Sequence, residues 1–300
     1  MKPLPINPRP SAHNSSPSGS HTGWAWAWAW AGVFLGTLVS LLVNWPALWL
    51  AQTVQQVTHG QVQLQEAQGS VWQGSGKLVL TGGQGSRDAM ALPGRISWQL
   101  GLKPQGTAQG LALPQVNLQL MAACCMTQPL HVQGRIQLSN QLSSQNTLQL
   151  QIDDHRSQWP AHLLTGLGAP WNTMQPEGNL VLVTQQLALQ VMPGQTGMQG
   201  QIKLIAENMS STLSTLRPMG TYQISLGKAD ATHSAASALP SLTLSTLSGS
   251  LLLSGQGQWQ GQKFQFRGEA SAVPEHADAL SNLLNIIGRR QGARSLLSLG

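Results

Sequence analysis

The chain has 300 residues, of which 9 % are charged, against roughly 25 % in an average soluble domain. That scarcity excludes a coiled coil, a long exposed helical array and a charge-rich disordered chain, all of which need Glu and Lys in quantity. The net charge of +6 reflects 10 acids rather than dense bases, no run of three Lys or Arg marks a nucleic-acid groove, and two cysteines exclude both a disulfide scaffold and a four-thiolate zinc module.

From Ser11 to Gln65 there is no Asp, Glu, Lys or Arg. Inside that window Trp24 to Val43 is an apolar stretch that spans about 30 Å as a helix, the thickness of a bilayer core. Trp24, Trp26, Trp28 and Trp30 crowd one end, Phe34 and Leu38 lie within it, and Trp45 and Trp49 follow the other end. Indoles at both ends are what interfacial anchoring requires, so these eight residues are the expected membrane anchor. Lys2 and Arg9 precede the span and Glu66 is the first charge after it, which predicts a cytoplasmic N-terminus. The stretch exceeds a signal-peptide core, and no small-x-small site follows it, so an uncleaved anchor is expected. Residues 1–23, rich in Pro, Ser and Gly, read as a disordered cytoplasmic tail, 24–44 as the anchor and 45–60 as a connecting helix that Pro46 is placed to begin.

Beyond residue 60 the hydrophobic period changes to two. Gln61 to Gln65 places Val62 and Leu64 on one face and glutamines on the other. Similar strands are predicted at 77–80, 115–120, 131–138, 147–152, 179–183, 186–191, 201–204, 221–226, 241–244, 250–253 and 262–266, each bounded by Gly, Pro, Ser or Asn. The fold class is therefore mostly β, an antiparallel and elongated curved sheet over 61–300 with one wet face. Few aromatic residues remain after residue 50, which fits a thin, open sheet with a Leu-rich concave face. Helices are expected at 159–167 and, with Leu280, Leu283, Leu284 and Ile287 on one stripe, at 275–290.

No catalytic pattern is visible. Asp153, Asp154 and His155 form the densest titratable cluster, but adjacent strand residues point to opposite faces, so a strand end or turn is expected there. Cys124 and Cys125 are adjacent. Their Cα atoms lie about 3.8 Å apart, so the expected state is a buried pair of free thiols, with a strained disulfide permitted in an oxidising compartment. No cofactor or metal site is expected.

Several short signatures occur together: Gly69 to Gly74 with Trp72, Trp98 within 96–100, Ala169-Pro170-Trp171, then Pro218, Gly220 and Tyr222. Gly255 to Gly261 with Trp259, Gly268 within 266–270, and Gly288 within 282–290 complete the set. Set behind a single anchor, they resemble type II secretion system protein N, the general secretion pathway protein N family. That resemblance implies a non-enzymatic inner-membrane subunit of the machinery that exports folded proteins from the periplasm. Its neighbours would be the assembly platform and the secretin-linking protein, with membrane lipid around the anchor and no nucleic-acid partner. The Trp-Ala repeat and the long leader depart from the family pattern. From the residues alone, Gly and Trp in Trp72-Gln73-Gly74 and Trp259-Gln260-Gly261 serve structure first: Gly permits a turn or bulge and Trp covers apolar surface. A second function class, a periplasmic lipid-handling β-groove in the manner of AsmA-like proteins, would also follow an anchor with many alternating strands.

Overall fold

The computed structural model describes residues 22–104, 114–137, 147–192, 195–227, 240–260 and 263–300; residues 1–21 of the tail expected over 1–23 and the signature residue Gly261 lie outside them, while Thr22 and Gly23 begin a helix. The chain divides into two compact units, Met1–Asn44 and Trp45–Gly300.

The first unit carries α1 (Thr22–Val43), and its Trp26–Val43 portion is long and apolar enough to cross a membrane. Every side chain described along it, Trp26, Trp28, Trp30, Phe34 and Leu38 included, is exposed within the unit. Thr37 donates its hydroxyl to the Val33 carbonyl at 2.8 Å, which satisfies a polar group that hydrocarbon would otherwise penalise.

The second unit opens with α2 (Ala47–Val57), set off by Pro46. Strands β1 (Val62–Gly69), β2 (Gln73–Thr81), β3 (Ala89–Ala91), β4 (Ile96–Lys103), β5 (Gln115–Ala122), β6 (Leu130–Gln137), β7 (Thr147–Ile152) and β8 (His155–Pro160) follow. After a 3-10 helix at Ala161–Leu167 and the single turn α3 (Trp171–Met174) come two long strands, β9 (Glu177–Met192) and β10 (Gln195–Ser210). The chain continues through β11 (Gly220–Gly227), β12 (Ser241–Gly249), β13 (Leu251–Gln260) and β14 (Lys263–Ala272), then α4 (Ala277–Ile287), β15 (Arg289–Gln291) and β16 (Arg294–Leu299). The sixteen strands among the described residues join one antiparallel sheet in near-sequential order, with β3 beside β2 and β8 continuing the line of β7 along β9. The sheet is open and does not close on itself.

The register explains why this sequence makes a two-faced sheet. Cross-strand rows run Leu100 to Leu118 to Val132 to Ile152 to Leu187, and Leu204 to Ile224 to Leu244, so branched side chains meet branched side chains. One residue away, Gln99 meets Gln119 and Gln119 meets His131, while Gln133, Gln151 and Ala188 form a second wet row. A one-residue slip would exchange the two sets, which fixes the register. Leu150 faces Gly134 and Leu189 and is half-buried. Leu150→Asp should cost about 1–3 kcal/mol in chemical denaturation, and Gln151→Asp, on the wet face, within about 0.5 kcal/mol. Equal losses would contradict this facing.

Helices cover the leucine face in two places. Leu280, Leu283 and Leu284 of α4 pack with Met219, Tyr222, Leu251 and Ala270, and Ser295 donates to the Leu284 carbonyl at 2.6 Å, satisfying a backbone group at the helix end. The second cluster gathers Leu163 of the 3-10 helix with Leu92, Ala122 and Cys125, flanked by Leu78, Leu80 and Trp159.

Four local expectations change. Trp159 and Pro160 end a strand rather than begin a helix, because Trp159 pairs with Leu180 and the proline caps a 3-10 helix, Ala161–Leu167. The expected helix at 275–290 is α4 with a short 3-10 entry at Pro274–His276; Arg289 and Arg290 are strand, because Gly288 is extended and lies against the Leu296 carbonyl. The strands expected at 179–183 and 186–191 are one strand, joined through a bulge where Gln186 has φ 46° and Gly200 opposite it φ 82°. Cys124 and Cys125 form a disulfide rather than two free thiols; Cys125 is buried and Cys124 exposed.

Candidate functional site

The signature residues lie in three places along the sheet. Gly69, Trp72, Gly74 and Trp98 meet around the β1–β2 turn. Gly69 has φ 89°, a conformation that glycine adopts without strain, and pairs with Gly74. Gly74 in turn faces Trp98, and a Cβ on Gly74 would stand 2.5 Å from the indole, so the ring lies flat over the glycine backbone. Trp98 is only 2 % exposed and donates its indole N–H to the Ser70 carbonyl at 3.3 Å; Leu100 N–H donates to the Trp72 carbonyl at 2.6 Å. The glycine thus makes room for an aromatic group that supplies cross-strand packing a glycine cannot.

The same device recurs twice. Tyr222 is buried, and its ring folds back over Gly220, where a Cβ would meet the phenol oxygen at 2.7 Å. Pro218, joined to Arg217 by a cis bond, leads into this strand. Burial pushes the Tyr222 pKa well above the ordinary phenol range, and its hydroxyl finds no partner among the described residues. Near the other end, the Phe264 ring lies over Gly257 and the Phe266 ring over Gly255, while Gly268 packs against the Gly255 backbone. Trp259 pairs with Phe264 across β13 and β14, ring centroids 5.2 Å apart, and is 42 % exposed. Gly288 admits the Leu296 carbonyl, as described. Gly69, Gly74, Trp98, Gly220, Tyr222, Trp259, Gly268 and Gly288 thus sit at close contacts within the sheet.

The anchor residues cluster differently. Trp45 and Trp49 stack edge to face at 5.8 Å, while Trp26, Trp28, Trp30, Phe34 and Leu38 belong to α1; Trp24 lies in that helix.

Two hollows open beside the amide rows. One, about 820 Å³, is lined by Thr243, Ser245, Gln256, Gln258, Arg267 and Glu269. The other, about 660 Å³, borders Gln73, Ser97, Gln99 and Gln119 together with Trp98, Leu120, Met121 and Pro129. Bulges at Glu66, Gln186 and Asn208, all at positive φ, add local twist that bends the sheet. Lys77, hydrogen-bonded to Glu66 at 2.8 Å, is the main reason the Glu66 carboxyl is held below the usual carboxylate range, with Arg95 adding to it.

The acidic cluster is structural. The Asp154 carboxylate accepts the backbone N–H of Gln186 at 2.6 Å and so secures the left-handed residue of the bulge; the Asp153 carbonyl accepts the Thr184 hydroxyl at 2.9 Å. His155 starts β8 and is buried, with Nε2 unpartnered among the described residues. Among those residues no group of three or more His, Cys, Asp and Glu is placed to hold a metal ion. Burial, and secondarily the charge of His131, hold the His155 pKa below its ordinary 6.5. The folded chain therefore prefers the neutral ring, and the unfolded chain takes up the proton first as pH falls. Stability is complete above about pH 6.5 and declines on acidification below it. His155→Gln should flatten this dependence between pH 7.5 and 5 in thermal melts; an unchanged slope would exclude His155 as its source.

No curated protein and no solved structure matches the chain. The profile described as type II secretion system (T2SS), protein N matches residues 60–296, which takes in nearly the whole sheet and every signature above. With most of its length matched, the chain belongs to the type II secretion system protein N family.

Proposed function

We propose that the protein is a non-enzymatic, single-pass subunit of the bacterial inner membrane that serves type II secretion as a scaffold or accessory component near the assembly platform. Its N-terminus lies in the cytoplasm and its sheet in the periplasm, where folded export substrates and the secretin-linking protein are within reach. Membership of the protein N family over residues 60–296 carries this reading. One feature favours a scaffold over a lipid-handling groove: helix α4 buries Leu280, Leu283 and Leu284 against the leucine face.

The topology has a direct test. A reporter active only outside the cytoplasm, fused after Gly300, should be active, and the full chain should stay in the membrane through alkaline washing. Cytoplasmic activity at that position would overturn the orientation.

A further inference from the structure

Helix α2 has two unlike sides. Ala47 and Ala51 are buried against the sheet unit, where α2 packs on β1 and β2, whereas Leu48 is 60 % and Trp49 55 % exposed. Trp45, just before the helix, is 39 % exposed and stacks on Trp49. The second half of the exposed side carries Gln52, Gln55 and Gln56, with Val57 exposed at the helix end. Trp45, Leu48 and Trp49 nonetheless gather the largest exposed apolar side chains at the first turn, a feature of interaction surfaces.

This turn is rigidly coupled to the sheet. The Val71 N–H donates to the Trp45 carbonyl at 2.8 Å, and Pro46 pairs with Ser70 in an isolated β-bridge. Ser70 in turn accepts the Trp98 indole N–H, and Gln73 closes the turn by donating its N–H to the Ser70 hydroxyl at 3.1 Å. Whatever holds Trp45 thus also holds the β1–β2 turn.

The chain itself says what that is. Only Asn44 separates Trp45 from Val43, the last residue of the apolar span, so their Cα atoms are at most about 7.6 Å apart. No Asp, Glu, Lys or Arg occurs between Ser11 and Gln65 to keep this segment away from headgroups. Exposed indoles and a leucine at that distance from a span fit the headgroup–acyl boundary, about 5–10 Å deep.

We propose that Trp45, Leu48 and Trp49, with the turn at residues 70–73 that is hydrogen-bonded to them, form a surface that docks on the phospholipid bilayer, so that the β1 edge of the sheet is held against the membrane rather than tethered by a loose stalk. The proposal rests on α1 spanning the membrane. The sheet then leaves the bilayer from its β1 end, and secretion subunits that contact it meet a surface of set orientation.

The test uses the full chain in vesicles of phosphatidylethanolamine and phosphatidylglycerol doped with a phospholipid brominated high on the acyl chain. An environment-sensitive fluorescent amino acid replaces Leu48, Gln73, Gln55 or Thr243 singly, and Leu38 as a control for the span. Probes at 48 and 73 should be quenched several-fold more than those at 55 and 243. Quenching at 48 or 73 no greater than at 243 overturns the docking. An unquenched probe at 38 would show instead that the span itself is wrong, which separates the two failures. Because Leu48 and Gln73 are surface residues, their replacement leaves the buried packing intact.

Discussion

A chain ending at residue 274 should not accumulate as a folded protein. The deletion removes α4, β15 and β16, and with them Leu280, Leu283 and Leu284, each of them no more than 3 % exposed. Transfer of three buried leucines alone is worth about 5–9 kcal/mol, comparable with the whole stability of many domains. The loss also uncovers Met219, Tyr222, Leu251 and Ala270 and leaves β14 with an unpaired edge, a combination that invites aggregation. A point variant tests the same packing more gently. Leu284→Asp, a carboxylate placed at a 1 % exposed site, should cost more than about 4 kcal/mol and deplete the protein in membranes, whereas Asn285→Asp at the exposed neighbouring position should leave its level unchanged. Equal abundance of Leu284→Asp and wild type on immunoblots would show that α4 is not part of the core.

Trp98→Ala should be the most damaging single change at the first signature. It empties the space over Gly74 and leaves the Ser70 carbonyl without its indole donor, for a loss of about 3–5 kcal/mol in denaturant titrations. Gly74→Val should approach that figure from the opposite side, because its Cβ would overlap the Trp98 ring and the Gln68 carbonyl. If the two residues fit each other as described, the double change Gly74→Val with Trp98→Ala should be less harmful than the sum of the single changes. Strict additivity would mean that the ring and the glycine do not interact.

The alternation of leucine and glutamine made most of this sheet legible in advance. Where Thr147 to Ile152 reads Thr-Leu-Gln-Leu-Gln-Ile, the pattern names both the strand and its faces, and the observed rows agree. Periodicity is silent about bulges. Gln186 breaks the count between Leu182 and Leu187, so one sixteen-residue strand reads as two, and only the Asp154 carboxylate on its N–H explains why a glutamine adopts positive φ there. Strand β16 was missed because Arg294–Leu299 follows a helix and a Gly292 turn, and its partner, β14, lies more than twenty residues upstream. The stripe on α4 was readable, but Arg289 and Arg290 looked like helix-ending charges, since nothing local announces that Gly288 is pressed against the Leu296 carbonyl.

At the signatures, the sequence suggested that Gly and Trp act together, and what it could not supply was the pairing. Trp72 and Gly74 are close in sequence, yet the indole over Gly74 is that of Trp98, twenty-four residues on. Tyr222 over Gly220 is a same-strand pair that spacing could have revealed; Phe264 over Gly257 depends on the β13–β14 register. The surface formed by Leu48 and the 70–73 turn had a readable half, the indoles of Trp45 and Trp49. The backbone hydrogen bond from Val71 to Trp45 required the fold.

The central claim is that this sheet serves type II secretion by contact with other subunits, and crosslinking in native membranes tests it most directly. Full-length protein carrying a photoreactive amino acid at Gln256 or Gln99, exposed positions on the two hollows, would be irradiated in cells that express the whole secretion machinery, and its adducts identified by mass spectrometry. The account predicts adducts with type II secretion subunits, the assembly platform or the secretin-linking protein among them. Adducts confined to unrelated proteins, with stoichiometric phospholipid on the purified full-length protein, would contradict it.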